Sequence, residues 1–215
     1  MFIVQGVIRL LHDPVAVRAG DEAYDALLHQ TEGMYWNVYL ERLDDPGLTI
    51  HTQAWKEQAT SETFGISVGF QELRVRNPLG ARTVLEGPLS PGYWRPVLDA
   101  EYRTPPTGYD PARLGFALHA IVFVRPGREA DYLAAERAIA AELAAAESVY
   151  WFRVFHNLGR PNAYSRIIHW RDAAGSTVLG DTESARRTLV DQELGGMCRV
   201  KLFSDWPERR ARDGV

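Results

Sequence analysis

The segment LTIHTQAW (48–55) reads as an extended strand, and alternation places His51, Gln53 and Trp55 on one of its faces. An imidazole, an amide and an indole side by side can line a cleft for a flat organic molecule. Imidazole also titrates close enough to neutrality to act as a general base. The segment YSRIIHW (164–170) places Arg166, Ile168 and Trp170 on the corresponding face of a second strand. A plainer reading competes: both tryptophans fill a core, each directing its indole N–H to a nearby carbonyl.

The elements that hold these residues are duplicated. WKEQATSETFG begins at Trp55 and WRDAAGSTVLG at Trp170, 115 residues later. The same offset pairs Tyr35-Trp36 with Tyr150-Trp151, Leu43 with Leu158, and Pro46 with Pro161; upstream it pairs Ala23, Ala26, Leu28 and Glu32 with Ala138, Ala141, Leu143 and Glu147. Over residues 23–65, 12 of 43 positions are identical without a gap. Solenoid repeats are far shorter, roughly 20 to 50 residues, so the unit repeated here is a whole small domain.

Each copy has the same order. Copy 1 opens with an apolar strand, Phe2 to Ile8, then a helix from Asp13 to Gln30. A hairpin follows around Asp44-Asp45-Pro46-Gly47, then a helix over Ser61 to Arg76 and a last strand from Tyr93 to Arg103. Copy 2 repeats this with HAIVFV, an Ala-rich helix (128–146), a hairpin around Gly159-Arg160-Pro161-Asn162, a helix over Ser176 to Glu193, and CRVKLFSDW. The order β-α-β-β-α-β is ferredoxin-like. Strand residues of both parities are apolar or aromatic, so both sheet faces are covered, and the natural cover for one copy is the other. The expected fold is α+β: two tandem ferredoxin-like repeats whose antiparallel sheets pack face to face into a barrel within one chain. The division is repeat 1 over 1–103 with a loop insertion at about 80–94, a linker over 104–115, and repeat 2 over 116–215.

A net charge of −4 and a pI near 5.9 provide no basic stripe for nucleic acid. The single cysteine, Cys198, excludes a disulfide framework and a cysteine zinc site, and the six histidines show no close ligand pair, so no metal is expected. MFIVQGVIRLL lacks the pattern of a signal peptide, and no run approaches the length of a membrane span. A cytoplasmic protein without membrane or nucleic-acid partners is the expectation.

The order of strand, Trp, acidic residue, helix, Phe-Gly and Glu-Leu-Arg resembles the antibiotic biosynthesis monooxygenases of the dimeric α/β barrel superfamily. In copy 1 the matching residues are Gln53-Ala54-Trp55, Phe64-Gly65 and Glu72-Leu73-Arg74. The resemblance implies oxidation of an aromatic, polyketide-like substrate of phenolic or anthrone type with O₂ as co-substrate and no flavin, haem or metal cofactor. It implies catalytic roles for Trp55 and Arg74, the latter holding developing negative charge as a planar guanidinium can.

Two departures are evident. The family's asparagine, four residues before the tryptophan, is His51 here, and its helix tyrosine falls at about Thr60. His51 is therefore a third catalytic candidate, a general base in place of both, with a structural role as the alternative. Asn37, Gln53, Thr60, Trp94, Arg166 and Trp170 are candidate substrate contacts, and the loop at Pro88–Gly92 is a candidate cover for the pocket. Haem-degrading relatives carry a helix histidine about ten residues after the tryptophan, where this chain has Gly65 and Gly180, which argues against haem. Arg153, His156, Arg166 and His169 form a candidate second polar site in copy 2, although alternation sets His169 on the face opposite Arg166. Two other functions remain open: a non-oxidative cyclase or isomerase, and a barrel that binds a small molecule without chemistry. The intramolecular pseudo-dimer allows a monomer, and a homodimer of the fused unit is also allowed.

Overall fold

A computed structural model describes residues 1–10, 14–76, 83–85, 92–172 and 181–215; the side chains of 10, 14–18, 74, 76 and 83–85 lie outside the description. The strands are β1 (Phe2–Leu10), β2 (Met34–Arg42), β3 (Leu48–Trp55), β4 (Thr83–Leu85), β5 (Gly92–Glu101), β6 (Phe116–Val124), β7 (Val149–Asn157), β8 (Ala163–Trp170) and β9 (Val190–Asp205). The helices are α1 (Pro14–Gln30), α2 (Gln58–Ile66), α3 (Val68–Arg76), α4 (Pro111–Leu114), α5 (Glu129–Ala144), α6 (Asp181–Arg187) and α7 (Pro207–Asp213). Among the described residues no helix is long and apolar enough to cross a membrane.

Hydrogen bonds order the strands β3-β2-β9-β6-β8-β7-β5-β1, and a β3–β1 pairing completes the ring, so the eight strands form one closed antiparallel sheet with β4 on the edge of β1. The fold is the α+β barrel expected from the duplicated ferredoxin-like order. The facing sheets of the sequence reading are one continuous sheet, because the last strand of each repeat is long. Two compact units divide the chain: Met1–Tyr93 with Thr107–Tyr109 and Lys201–Val215, and Trp94–Pro106 with Asp110–Val200. They are a different division from the sequence repeats, since β5 and β9 each begin in one unit and end in the other.

In the first unit β3 pairs antiparallel with β1 and β2, setting Gly6 and Tyr39 opposite His51, and Val4 and Asn37 opposite Gln53. The stripe of α1 that turns inward is Asp21, Tyr24, Asp25 and Leu28, spaced i, i+3, i+4, i+7. In the second unit the matching stripe of α5 is Tyr132, Glu136, Ile139, Ala140 and Leu143, all buried, against Phe152, Val154, Ile168 and Trp170. One stripe is polar through its middle and the other is apolar but for one carboxylate.

Three expectations about elements change. The helix over Ser61–Arg76 is two helices, because Ser67 adopts extended backbone (φ −62°, ψ 146°) and its Oγ accepts the Phe70 N–H to start α3. Of the helix expected over Ser176–Glu193, residues 176–180 lie outside the described residues; helix covers Asp181–Arg187, and strand begins at Val190. Gly195 lets that strand pair with β6: a Cβ there would sit 2.1 Å from the His119 carbonyl oxygen. The linker contains the one-turn helix α4, capped by the Asp110 side chain accepting from the Ala112 N–H.

Candidate functional site

Alternation along β3 holds as expected, and His51, Gln53 and Trp55 face the helices. Gln53 Nε2 donates to the Tyr24 hydroxyl at 2.8 Å. Trp55 is fully buried against Phe64, with ring centroids 5.2 Å apart. Phe64, Phe70 and Tyr24 continue that aromatic wall at centroid distances of 5.0 to 5.7 Å. The imidazole of His51 lies flat on the Tyr39 ring, 4.0 Å away and 12° from parallel, while Tyr24 meets it edge-on at 5.5 Å. Beneath it runs a polar chain. His51 Nε2 lies 2.6 Å from Asn37 Oδ1, Asn37 Nδ2 donates to Asp25 Oδ1 at 3.1 Å, and Ser204 Oγ donates to Asp25 Oδ2 at 2.9 Å.

Burial decides the charges. His51 is held down to about 3 by desolvation, so its ring is neutral at pH 7. The expectation of an imidazole titrating near neutrality is thereby corrected: His51 is a weak base in this setting and serves best as a hydrogen-bonding group. Asp21, 8% exposed, moves the opposite way. Burial pushes its carboxyl up to about 7, Lys201 opposes the rise and Glu22 adds to it. Burial also keeps the phenols of Tyr24 and Tyr39 protonated, both raised well above the usual tyrosine value. Asp21 is thus the carboxyl on the inward stripe of α1 whose pKa lies near neutrality.

The matching region of the second unit is filled. Arg166 and Glu136 are both 0% exposed, with Arg166 Nε 3.4 Å from Glu136 Oε1. Arg166 Nη1 donates to both oxygens of Glu183 at 3.0 Å, and Arg186 bridges Glu183 and Glu193 at 2.7 Å each. Burial works to raise Glu183, but the two guanidiniums outweigh it and hold the carboxyl down to about 2. Burial raises Glu136 despite the same two arginines. Trp170 is fully buried in the apolar cluster beside this network.

The other sequence candidates scatter. Thr60 packs against the turn before β2, where a Cβ on Gly33 (φ +78°) would meet its Cγ2 at 2.8 Å, and it lines a shallow hollow with Thr31, Glu57 and Thr63. Trp94 is fully buried in the second unit, opposite Asn157. The side chain of Arg74 and the loop Pro88–Gly92 up to residue 91 lie outside the described residues. Arg153 pairs with Asp99 at 2.8 Å, His156 Nε2 meets the Pro161 carbonyl and His169 Nε2 the Leu114 carbonyl, so these three do not converge with Arg166. Among the described residues the indole nitrogens of Trp55, Trp94 and Trp170 are buried without an acceptor, contrary to the carbonyl partners expected of core tryptophans.

Sequence reasoning missed Asp21, Tyr24, Asp25, Tyr39 and Ser204. One signal was available: Asp21 and Glu136 stand at the same offset of 115 residues as the paired tryptophans. No group of three or more metal-ligating side chains occurs among the described residues.

No family model and no curated protein matches this chain. Solved structures do match. A protein proposed to be a monooxygenase from Fusobacterium nucleatum has 8% identity, covers 95% of this chain and 94% of its own, and superposes with a TM-score of 0.73. An anthrone oxidase-like protein has 14% identity, coverages of 95% and 93%, and a TM-score of 0.64. The haem-degrading enzyme LmHde of Listeria monocytogenes has 6% identity, coverages of 93% and 99%, and a TM-score of 0.54. The chain therefore has the ferredoxin-like barrel fold of monooxygenase-type proteins along nearly its whole length. Neither α2 nor α3 carries a histidine.

Proposed function

We propose that the first unit is a cofactor-independent monooxygenase or oxidase of an aromatic small molecule of phenolic or anthrone type. The observation that carries this reading is the set of groups between β3 and α1, assigned as the substrate cleft: an aromatic wall, a neutral imidazole, and one carboxyl, Asp21, raised to about 7. Asp21 is assigned as the proton acceptor for the substrate, since a general base is most effective when its pKa lies near the working pH. His51 and Gln53 orient polar groups of the substrate, Asn37 holds the His51 ring through its amide oxygen, Trp55, Phe64 and Phe70 supply the apolar wall, and Arg74 keeps the charge-holding role that the family resemblance implies. With an anthrone-type methylene, one oxygen atom of O₂ becomes the new carbonyl and the other leaves as water with the two hydrogens. All four electrons come from the substrate, so the scheme calls for no redox cofactor.

The test is oxygen uptake by metal-stripped protein with anthrone in a closed electrode cell, with and without added flavin. Protein-dependent uptake without flavin, lost in Asp21→Asn, is the expected result. A second reading is favoured by the same pair of groups: a carboxyl titrating near 7 beside a neutral imidazole also suits a non-oxidative cyclase or isomerase. Anthrone binding without oxygen uptake would move the assignment there, and a ligand recovered unchanged after long incubation would leave a binding protein.

A further inference from the structure

The orientation of the polar chain under His51 can be deduced link by link. Ser204 and Asn37 each direct a donor at a different oxygen of Asp25. A carboxylate only accepts, so the NH₂ end of Asn37 faces Asp25 and its carbonyl end faces His51. A carbonyl oxygen also only accepts, so the hydrogen in the 2.6 Å contact belongs to His51 Nε2. A neutral imidazole has one N–H, which leaves Nδ1 with a bare lone pair.

Among the described residues Nδ1 meets no hydrogen-bond partner, and the ring keeps part of its surface accessible although Tyr39 and Tyr24 cover it from two sides. Gly6 stands opposite His51 in the sheet and adds no side chain there, whereas Ala120 stands opposite Arg166. The charged groups of the surrounding elements are Asp21 and Asp25 from α1, Glu41 from β2 and Lys201 from β9; Lys201 lies 3.5 Å from Glu41 and its field falls on Asp21. Arg74, on α3, has its side chain outside the description. At Nδ1 itself an anion would meet a lone pair and no donor. A hydroxyl would complete a hydrogen bond.

We propose that His51 is the specificity-determining residue of this cleft, accepting a ligand that offers a neutral hydroxyl at Nδ1 and rejecting one that offers a carboxylate. Asn37, Asp25 and Ser204 are positioning residues that set its tautomer. This rests on the cleft being the small-molecule site described under Proposed function, and it adds what the site selects for.

The test uses the full chain and three naphthalene probes of similar shape: 2-naphthol, 2-methoxynaphthalene and 2-naphthoate, titrated calorimetrically at pH 7.5. One hydrogen bond at about 1.4 kcal/mol corresponds to about tenfold in affinity, so 2-naphthol is expected to bind about tenfold tighter than its methyl ether, and 2-naphthoate no better than the ether. His51→Phe retains a ring to stack on Tyr39 but has no Nδ1, and should bind naphthol and ether equally. Nitrogen-15 NMR of the native protein should show the Nε2–H tautomer, a readout independent of any variant's folding. The proposal is overturned by a native protein that binds none of the probes or binds naphthoate as tightly as naphthol, by a folded His51→Phe that keeps the hydroxyl preference, or by an Nδ1–H tautomer. Neither readout needs turnover: hydroxyl preference without oxygen uptake sinks the oxygenase reading alone, and uptake without hydroxyl preference sinks this proposal alone.

Discussion

The two units place a carboxylate at the same point of their first helix, Asp21 and Glu136, and a polar residue at the same point of their third strand, His51 and Arg166. In the second unit the strand residue is a permanent cation. It pairs with Glu136 and Glu183, Arg186 joins them, and the space between helix and sheet is filled by a closed ionic network. In the first unit the strand residue is an imidazole that burial keeps neutral, and burial outweighs the field of Lys201 at Asp21, so the carboxyl's pKa climbs. The strand residue and its neighbour across the sheet differ together: His51 stands opposite Gly6, and Arg166 opposite Ala120. The same scaffold thus holds a buried ionic network in one copy and a carboxyl raised by burial in the other.

The comparison predicts its sharpest effect at Arg166. Arg166→Met removes the nearer of the two arginines paired with buried Glu136, leaving Arg186 at 3.9 Å, and should cost about 3–5 kcal/mol in denaturant unfolding, as breaking a buried ion pair does. Arg166→Met with Glu136→Gln should recover much of that loss. A neutral outcome for the single variant would show that apolar packing alone holds the second unit.

Asp21→Asn should act in the opposite sense. A carboxyl whose pKa rises on folding contributes its stability below the unfolded value of 3.8 and loses it as pH rises through about 7. At pH 8.5 the variant should therefore be more stable than the native protein, by up to about 4 kcal/mol at 1.36 kcal/mol per pKa unit, and near equal at pH 4. Its turnover with anthrone should fall about 10²-fold or more. Parallel pH–stability curves for the two proteins would show that Asp21 ionises normally and would remove it as the base.

His51→Arg transplants the second unit's arrangement into the first. The new guanidinium should pair with Asp21, remove the Nδ1 acceptor, and abolish 2-naphthol binding in a protein that remains folded. Retained binding would place the ligand elsewhere. The smallest effect is expected at Thr60, which faces the turn at Gly33 and not His51. Thr60→Val should change stability by no more than about 0.5 kcal/mol and leave naphthol affinity unaltered, whereas a clear loss of affinity would extend the site to the α2 hollow.

Much was legible in the chain itself. The paired tryptophans at 55 and 170 revealed the duplication, strand alternation put His51, Gln53 and Trp55 on one face, and the order of elements pointed to the barrel. These are local or periodic properties, written in spacing. The stop of α6 at Arg187 was not legible, because Gly195 is required by the backbone of β6, 76 residues earlier in the chain. Nor was the state of His51: its type says titration near neutrality, and only the enclosing Tyr39 and Tyr24 rings depress it. Asp21 reads as a surface residue in a polar helix until the inward stripe of α1 is known. Charge state depends on burial and on neighbours distant in sequence, and that is what the tertiary structure alone decided.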